Sequence, residues 1–83
     1  MNHFTTPDFW YCYRHLPEEV QELADKNFAL LLQNPHHPSL WLKKTGSFWS
    51  ARVGLHYRAV GAFLDGETFR WTWIGSHQDY DKL

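Results

Sequence analysis

Ser47-Phe48-Trp49-Ser50-Ala51-Arg52-Val53-Gly54-Leu55-His56-Tyr57-Arg58 reads as two short strands around a turn at Gly54. Trp49, Ala51 and Val53 alternate with Phe48, Ser50 and Arg52, the two-residue period of a strand with unlike faces. Beyond the turn, Tyr57, Ala59, Gly61 and Phe63 alternate with His56, Arg58, Val60 and Ala62. A third run, Thr68 to Gly75, sets Phe69, Trp71 and Trp73 against Arg70, Thr72 and Ile74. If the large apolar sets share one face of an antiparallel sheet, Arg52, Arg58 and Arg70 emerge together on the other. One side is then greasy for helices and the other cationic for a ligand. The alternative is that these arginines are ordinary solvated outward residues, and register decides.

Working outward, Asp65-Gly66 is a hairpin signal between the last two strands. Leu40-Trp41-Leu42-Lys43-Lys44 begins the first strand, and Thr45-Gly46-Ser47 turns the chain into the second. Upstream, Thr6-Pro7 starts a helix, with Thr6 as cap and proline in the first turn. Phe9, Trp10, Tyr13 and Leu16 give that helix an apolar side. Pro17-Glu18-Glu19 starts a second helix with acids at the positive end of its dipole. Its residues Val20, Leu23, Ala24, Phe28, Leu31 and Leu32 recur at helical spacing, predicting one buried stripe, and Asn34-Pro35 ends it. The expected architecture is α+β: an N-terminal α-helical hairpin packed on a four-stranded antiparallel sheet, with residues 1–83 forming a single domain.

Aromatic residues make up 18% of the 83, and large rings offset the poor surface-to-volume ratio of so small a fold. A single cysteine, Cys12, excludes an internal disulfide and fits a reducing compartment; it reads as a small buried filler. No apolar run approaches a membrane span and no secretory leader is read, so a cytoplasmic protein with no membrane partner is expected. Adjacent His36 and His37 lack partners at metal-ligand spacing and read as a solvated loop; no metal or cofactor is expected.

The net charge of −1 argues against a generic polyanion binder, yet it conceals a division. Asp8, Glu18, Glu19, Glu22 and Asp25 against Arg14 and Lys26 make the helical part acidic. Lys43, Lys44, Arg52, Arg58 and Arg70 against Asp65 and Glu67 make the strand part basic, which permits a local phosphate site. At the end of the chain, His77 and Tyr80 sit three residues apart, on one side of a helical turn. A histidine and a tyrosine beside a cationic sheet face suit acid–base chemistry on a phosphodiester.

Leu42-Lys43-Lys44 before a turn, Trp49-Ser50-Ala51-Arg52-Val53-Gly54, Tyr57-Arg58, and Ile74-Gly75-Ser76-His77 followed by Tyr80 together resemble the RelE/ParE superfamily of bacterial type II toxins, including its HigB-like branch. The resemblance covers residues 8–83. It implies the toxin component of a type II toxin–antitoxin system, neutralised by a cognate antitoxin, with operator DNA engaged only through the antitoxin complex. RelE-like members are metal-independent endoribonucleases that cut mRNA on the ribosome and so inhibit translation; ParE-like members poison gyrase.

By position, Arg58 resembles the family's arginine at the scissile phosphate. His77 stands where RelE-like members place a basic or histidine residue, and Tyr80 resembles an aromatic of the active edge. These three are the candidate catalytic residues, with Lys43, Lys44, Arg52 and Arg70 as candidate RNA and phosphate contacts. Ser50 and Ala51 stand where RelE-like nucleases commonly carry lysines. That departure leaves two other readings open, a gyrase poison and a degenerate toxin that survives as an antitoxin-binding or autoregulatory partner.

Overall fold

The computed structural model describes residues 2–83. In chain order these form β1 (Asn2–Thr5), α1 (Pro7–Arg14), α2 (Glu18–Gln33), a 3₁₀ turn (Pro38–Leu40), β2 (Lys43–Thr45), β3 (Phe48–Val53), β4 (Tyr57–Phe63), β5 (Thr68–Ser76) and α3 (His77–Tyr80). The class is α+β, as the sequence predicts, but two details differ. The sheet has five strands in the order β1-β5-β4-β3-β2, and a strand precedes the helices.

The added strand, β1, runs parallel to β5, from Asn2 beside Thr68 to Thr5 beside Trp71. The backbone N–H of Thr6 extends the ladder to the carbonyl of Trp71 at 3.2 Å. Without β1, that edge of β5 would leave a row of backbone donors and acceptors unpaired. The other strand pairs are antiparallel, and Gly54 closes the β3–β4 turn at φ +66°. At the β4–β5 turn the Asp65 carboxylate accepts from the Glu67 N–H at 2.8 Å, which holds its pKa below the ordinary value.

Helix α1 begins as predicted: the Thr6 hydroxyl accepts from the Phe9 N–H at 3.1 Å, with Pro7 in the first turn. The first strand of the meander is shorter than expected. Leu40, 2% exposed, turns inward to end the 3₁₀ turn, and Trp41 then adopts a left-handed conformation (φ 46°, ψ 43°). Strand pairing therefore starts only at Lys43.

One face of the sheet carries the core. Ala51, Val53, Ala59, Phe69, Trp71 and Ile74 pack there with Val20 and Leu31 of α2 and with Leu40. Of the stripe predicted on α2, Val20 and Leu31 are buried and Leu23 and Ala24 pack against the core, whereas Phe28 and Leu32 are exposed. The stripe is wider than the contact because an apolar groove of about 380 Å³ separates part of α2 from the sheet. Phe4, Trp10 and Phe28 line it and are also exposed. The hydroxyl of Tyr13 on α1 donates to Asp25 on α2 at 2.9 Å across the acidic side of this groove.

Two buried aromatics set tight conditions. Phe69, 2% exposed, lies over Gly61, where an added Cβ would run into its ring and the carbonyl of Arg70. Gly61→Ala is expected to destabilise the fold by about 1–3 kcal/mol, the usual cost of overpacking, read from urea unfolding. The indole N–H of Trp71 donates to Nδ1 of His3 at 3.2 Å, and the His3 ring meets Phe28 edge-on at 5.4 Å. Desolvation there lowers the pKa of His3 from its ordinary 6.5. The unfolded chain then binds a proton more readily than the folded one, so this contribution to stability is complete above pH 6.5 and is lost as pH falls through the folded value. The fall in urea midpoint between pH 7.5 and 5.5 should be larger for the natural chain than for His3→Gln, whose amide oxygen still accepts from Trp71.

Candidate active site

Register brings the two central arginines together. Arg52 of β3 lies directly across from Arg58 of β4, which lies across from Gly75 of β5. Because Ala51, Ala59 and Ile74 point into the core, these three positions project from the opposite face of the sheet.

The alternation on β5 differs from the predicted one. Val60 pairs with Trp73 but the next residue, Gly61, pairs with Trp71, so Thr72 is an extra residue in a β-bulge. Its hydroxyl donates to the Val60 carbonyl at 3.3 Å. The bulge reverses the alternation: Phe69 and Trp71 face the core, but beyond it Ile74 takes the inward position and Trp73 turns to the open face. The expected apolar set Phe69, Trp71 and Trp73 is therefore split. Trp73 lies over Gly75, where a Cβ would come within 2.6 Å of the indole.

Arg58 is half-buried, and its Nη1 donates to the Tyr57 carbonyl at 2.8 Å. Arg52 is held differently: its guanidinium carbon sits 4.7 Å from the centre of the Trp41 ring, and its buried Nε has no hydrogen-bond partner. Neither arginine meets a carboxylate. Among the described residues the one close contact between a basic and an acidic side chain is His77 with Asp81, at 3.7 Å and largely exposed. Every lysine and arginine thus keeps its charge unneutralised by protein.

Strand β5 delivers the candidate proton-transfer groups. The N–H of His77 donates to the His56 carbonyl at 2.7 Å, and Ser76 caps α3 by accepting from the Asp79 N–H at 3.1 Å. Within that turn the rings of His77 and Tyr80 stack at 6.3 Å and 20°, and Tyr80 also lies 6.4 Å from Trp73. The predicted one-turn spacing of His77 and Tyr80 is what forms. Arg58, paired with Gly75, lies two residues along β5 from His77.

Two other candidates lie apart from this group. Arg70 shares the open face but pairs with Ala62 on the far side of the bulge, about 16 Å along β5 from Gly75. Lys43 pairs with Ser50 and so shares the open face at the β2 edge, whereas Lys44 pairs with Trp49 and takes the other face. The positions of the missing lysines are closed: Ser50 and Ala51 are 6% and 7% exposed.

No family model matches the chain, and no curated protein matches it. Solved structures do. The YoeB/ParE toxin from Agrobacterium tumefaciens superposes with a TM-score of 0.70 at 15% identity, over 93% of this chain and 99% of that one. The RelB-RelE antitoxin–toxin complex from Methanococcus jannaschii gives 0.75 at 16%, over 96% and 98%. YafQ from E. coli gives 0.73 at 11%, over 95% and 96%. The chain has the RelE-like toxin fold.

Sequence reasoning missed Trp41 and Trp73 as members of this toxin-fold surface. Strict alternation puts Trp73 with Phe69 and Trp71 because a bulge has no reliable sequence signature, and residues 40–44 give Trp41 no feature that sets it apart from a strand residue. No groups of three or more histidines, cysteines or acids gather at metal-binding distance among the described residues, and no described helix is long and apolar enough to cross a membrane. The close approach of Trp73 to Gly75 is testable. Gly75→Ala should displace the indole, shifting the Trp73 and Tyr80 ring resonances in NMR spectra while the core resonances of Phe69 and Ile74 stay in place.

Proposed function

We propose that this chain is the toxin of a type II toxin–antitoxin system, acting as a metal-independent endoribonuclease on ribosome-bound mRNA. The observation that carries the reading is the uncompensated Arg52–Arg58 pair on the open face, with His77 and Tyr80 at the end of the neighbouring strand. A site with two free guanidiniums and an imidazole suits a phosphodiester.

In this reading the 2′-hydroxyl of one nucleotide attacks the adjacent phosphorus. The O2′–P bond forms and the P–O5′ bond breaks, leaving a 2′,3′-cyclic phosphate and a free 5′-hydroxyl. One group must take the 2′ proton and another must give a proton to the leaving 5′ oxygen. His77 performs one of these transfers, since a histidine exchanges protons near neutral pH. Arg58 holds the phosphate as charge builds on its oxygens, using the planar fork that matches them. Tyr80, stacked on His77, orients that ring or receives a base. Arg52 and Lys43 supply outer phosphate contacts; Lys44 and Arg70 lie too far from this group to share the same phosphate.

A cognate antitoxin is the proposed neutralising partner, and RelE of Methanococcus jannaschii was solved in complex with one. The apolar groove beside α2, with Phe4, Trp10 and Phe28 exposed along it and Asp25 among its lining residues, suits an apolar segment of that partner. The cytoplasm is the proposed location.

The gyrase-poison reading keeps one observation in its favour: the strand β3 positions at Ser50 and Ala51 are buried and hold no lysine. Expression of the chain without a partner, followed within minutes by primer extension on cellular transcripts, separates the readings. New 5′ ends within translated codons are expected, and His77→Ala and Arg58→Ala should each reduce them at least 10-fold without unfolding the protein. Growth arrest with intact transcripts and DNA damage would instead indicate a gyrase poison. Normal growth would indicate a partner-binding remnant.

A further inference from the structure

Trp41 is a poor choice for its position by every measure of folding. A left-handed backbone costs a non-glycine residue roughly 1–2 kcal/mol and is an outlier for a bulky one. Burial could offset that cost, but Trp41 is 65% exposed. The kink itself has a use, since it lets Leu40 turn into the core while Leu42, just before β2, packs against it. Glycine or asparagine would make the same kink with less strain. The backbone explains the turn and leaves the indole unexplained.

Its surroundings supply a reason. Extending the β2–β3 register by two residues places Trp41 in line with Arg52, and so with Arg58 and Gly75. This line crosses four strands, roughly 14 Å from end to end. The Arg52 guanidinium covers one face of the Trp41 ring, and the exposure of the residue leaves the other face open. A cation held by an indole rather than a carboxylate keeps its charge for a ligand. A flat, open aromatic face beside unneutralised phosphate-binding groups is the arrangement by which single strands are bound.

We propose that Trp41 is a base-stacking platform: a nucleobase of single-stranded RNA lies on the open face of its indole while Arg52, on the other face, contacts the strand's phosphate. This rests on the RNA reading of the open face and adds a position at which a base, rather than the backbone, is held. The strand then runs from Trp41 past Arg52 and Arg58 toward His77. Backbone strain at Trp41 and the lone Arg52 Nε are both features of the binding surface.

The test uses fluorescence anisotropy with two end-labelled probes of equal length, a 2′-O-methyl RNA that cannot be cleaved and an oligonucleotide made only of abasic sites. The natural chain should bind the base-bearing probe more tightly. Trp41→Asn, which suits the left-handed backbone, should weaken that binding roughly 5- to 100-fold, the usual worth of one stacked base, and weaken abasic binding, which it reaches only through Arg52, by much less. Trp41→Phe should retain most of the affinity, and the melting temperature of Trp41→Asn should not fall. Equal losses on both probes, or no loss on either, would overturn the platform while leaving the phosphate site standing. If Trp41→Asn fails to fold, the natural chain decides: equal affinity for the two probes overturns the proposal. If it binds neither probe, the RNA reading fails and the platform with it.

Discussion

The extra residue at Thr72 governs both faces of the sheet. A strand alternates its side chains strictly, so nine residues of β5 with Phe69 and Trp71 inward would put Trp73 inward and Ile74 outward. The bulge, with the Thr72 hydroxyl on the Val60 carbonyl, reverses this halfway along. Ile74, 3% exposed, can then complete the core under α1 and α2 while Trp73 joins the open face. Gly75 gives the displaced indole a place to lie, and Tyr80 packs beside it. One inserted residue thus fills the core and shapes the site.

The charges follow the same two-sided logic. Acids cluster on the helical layer and cations on the strands, so a chain near neutrality still presents a positive surface. None of those cations lies within salt-bridge distance of a carboxylate; Arg52 and Arg58 are held instead by the Trp41 ring and the Tyr57 carbonyl. Stability comes instead from apolar packing, which aromatic rings supply generously for the size of the chain. A surface whose charges are not matched by protein carboxylates is free to answer to a ligand.

Much of this was legible from residue order. The alternation in Phe48–Val53 and Tyr57–Phe63, the Thr6-Pro7 helix start and the His77–Tyr80 spacing each depend on neighbours in sequence, and each formed as read. The features that escaped depend on distant partners. Asn2–Thr5 carries no strong apolar alternation, and it becomes a strand because β5 has an edge to fill. Phe28 looks like a core residue until the groove beside α2 is known. The left-handed turn at Trp41 and the bulge at Thr72 are backbone events that pattern cannot announce. Of the site, Arg52, Arg58, His77 and Tyr80 were in view from sequence, but that Arg70 and Lys44 lie apart from them emerges only with the register.

The pairing of β1 with β5 also dictates when the molecule can be finished. The first four described residues lie beside residues 68–71, so they have no place in the sheet until that segment exists. Synthesis therefore yields the helices and the β2–β3–β4 meander first, because their contacts are local and form quickly. Strand β5 and the turn bearing His77 and Tyr80 come last. A nascent chain that stops short of residue 68 lacks both the partner of β1 and the end of the site, and one segment brings both. Whatever the open face acts on, the chain becomes able to act only once β5 has found both of its neighbours.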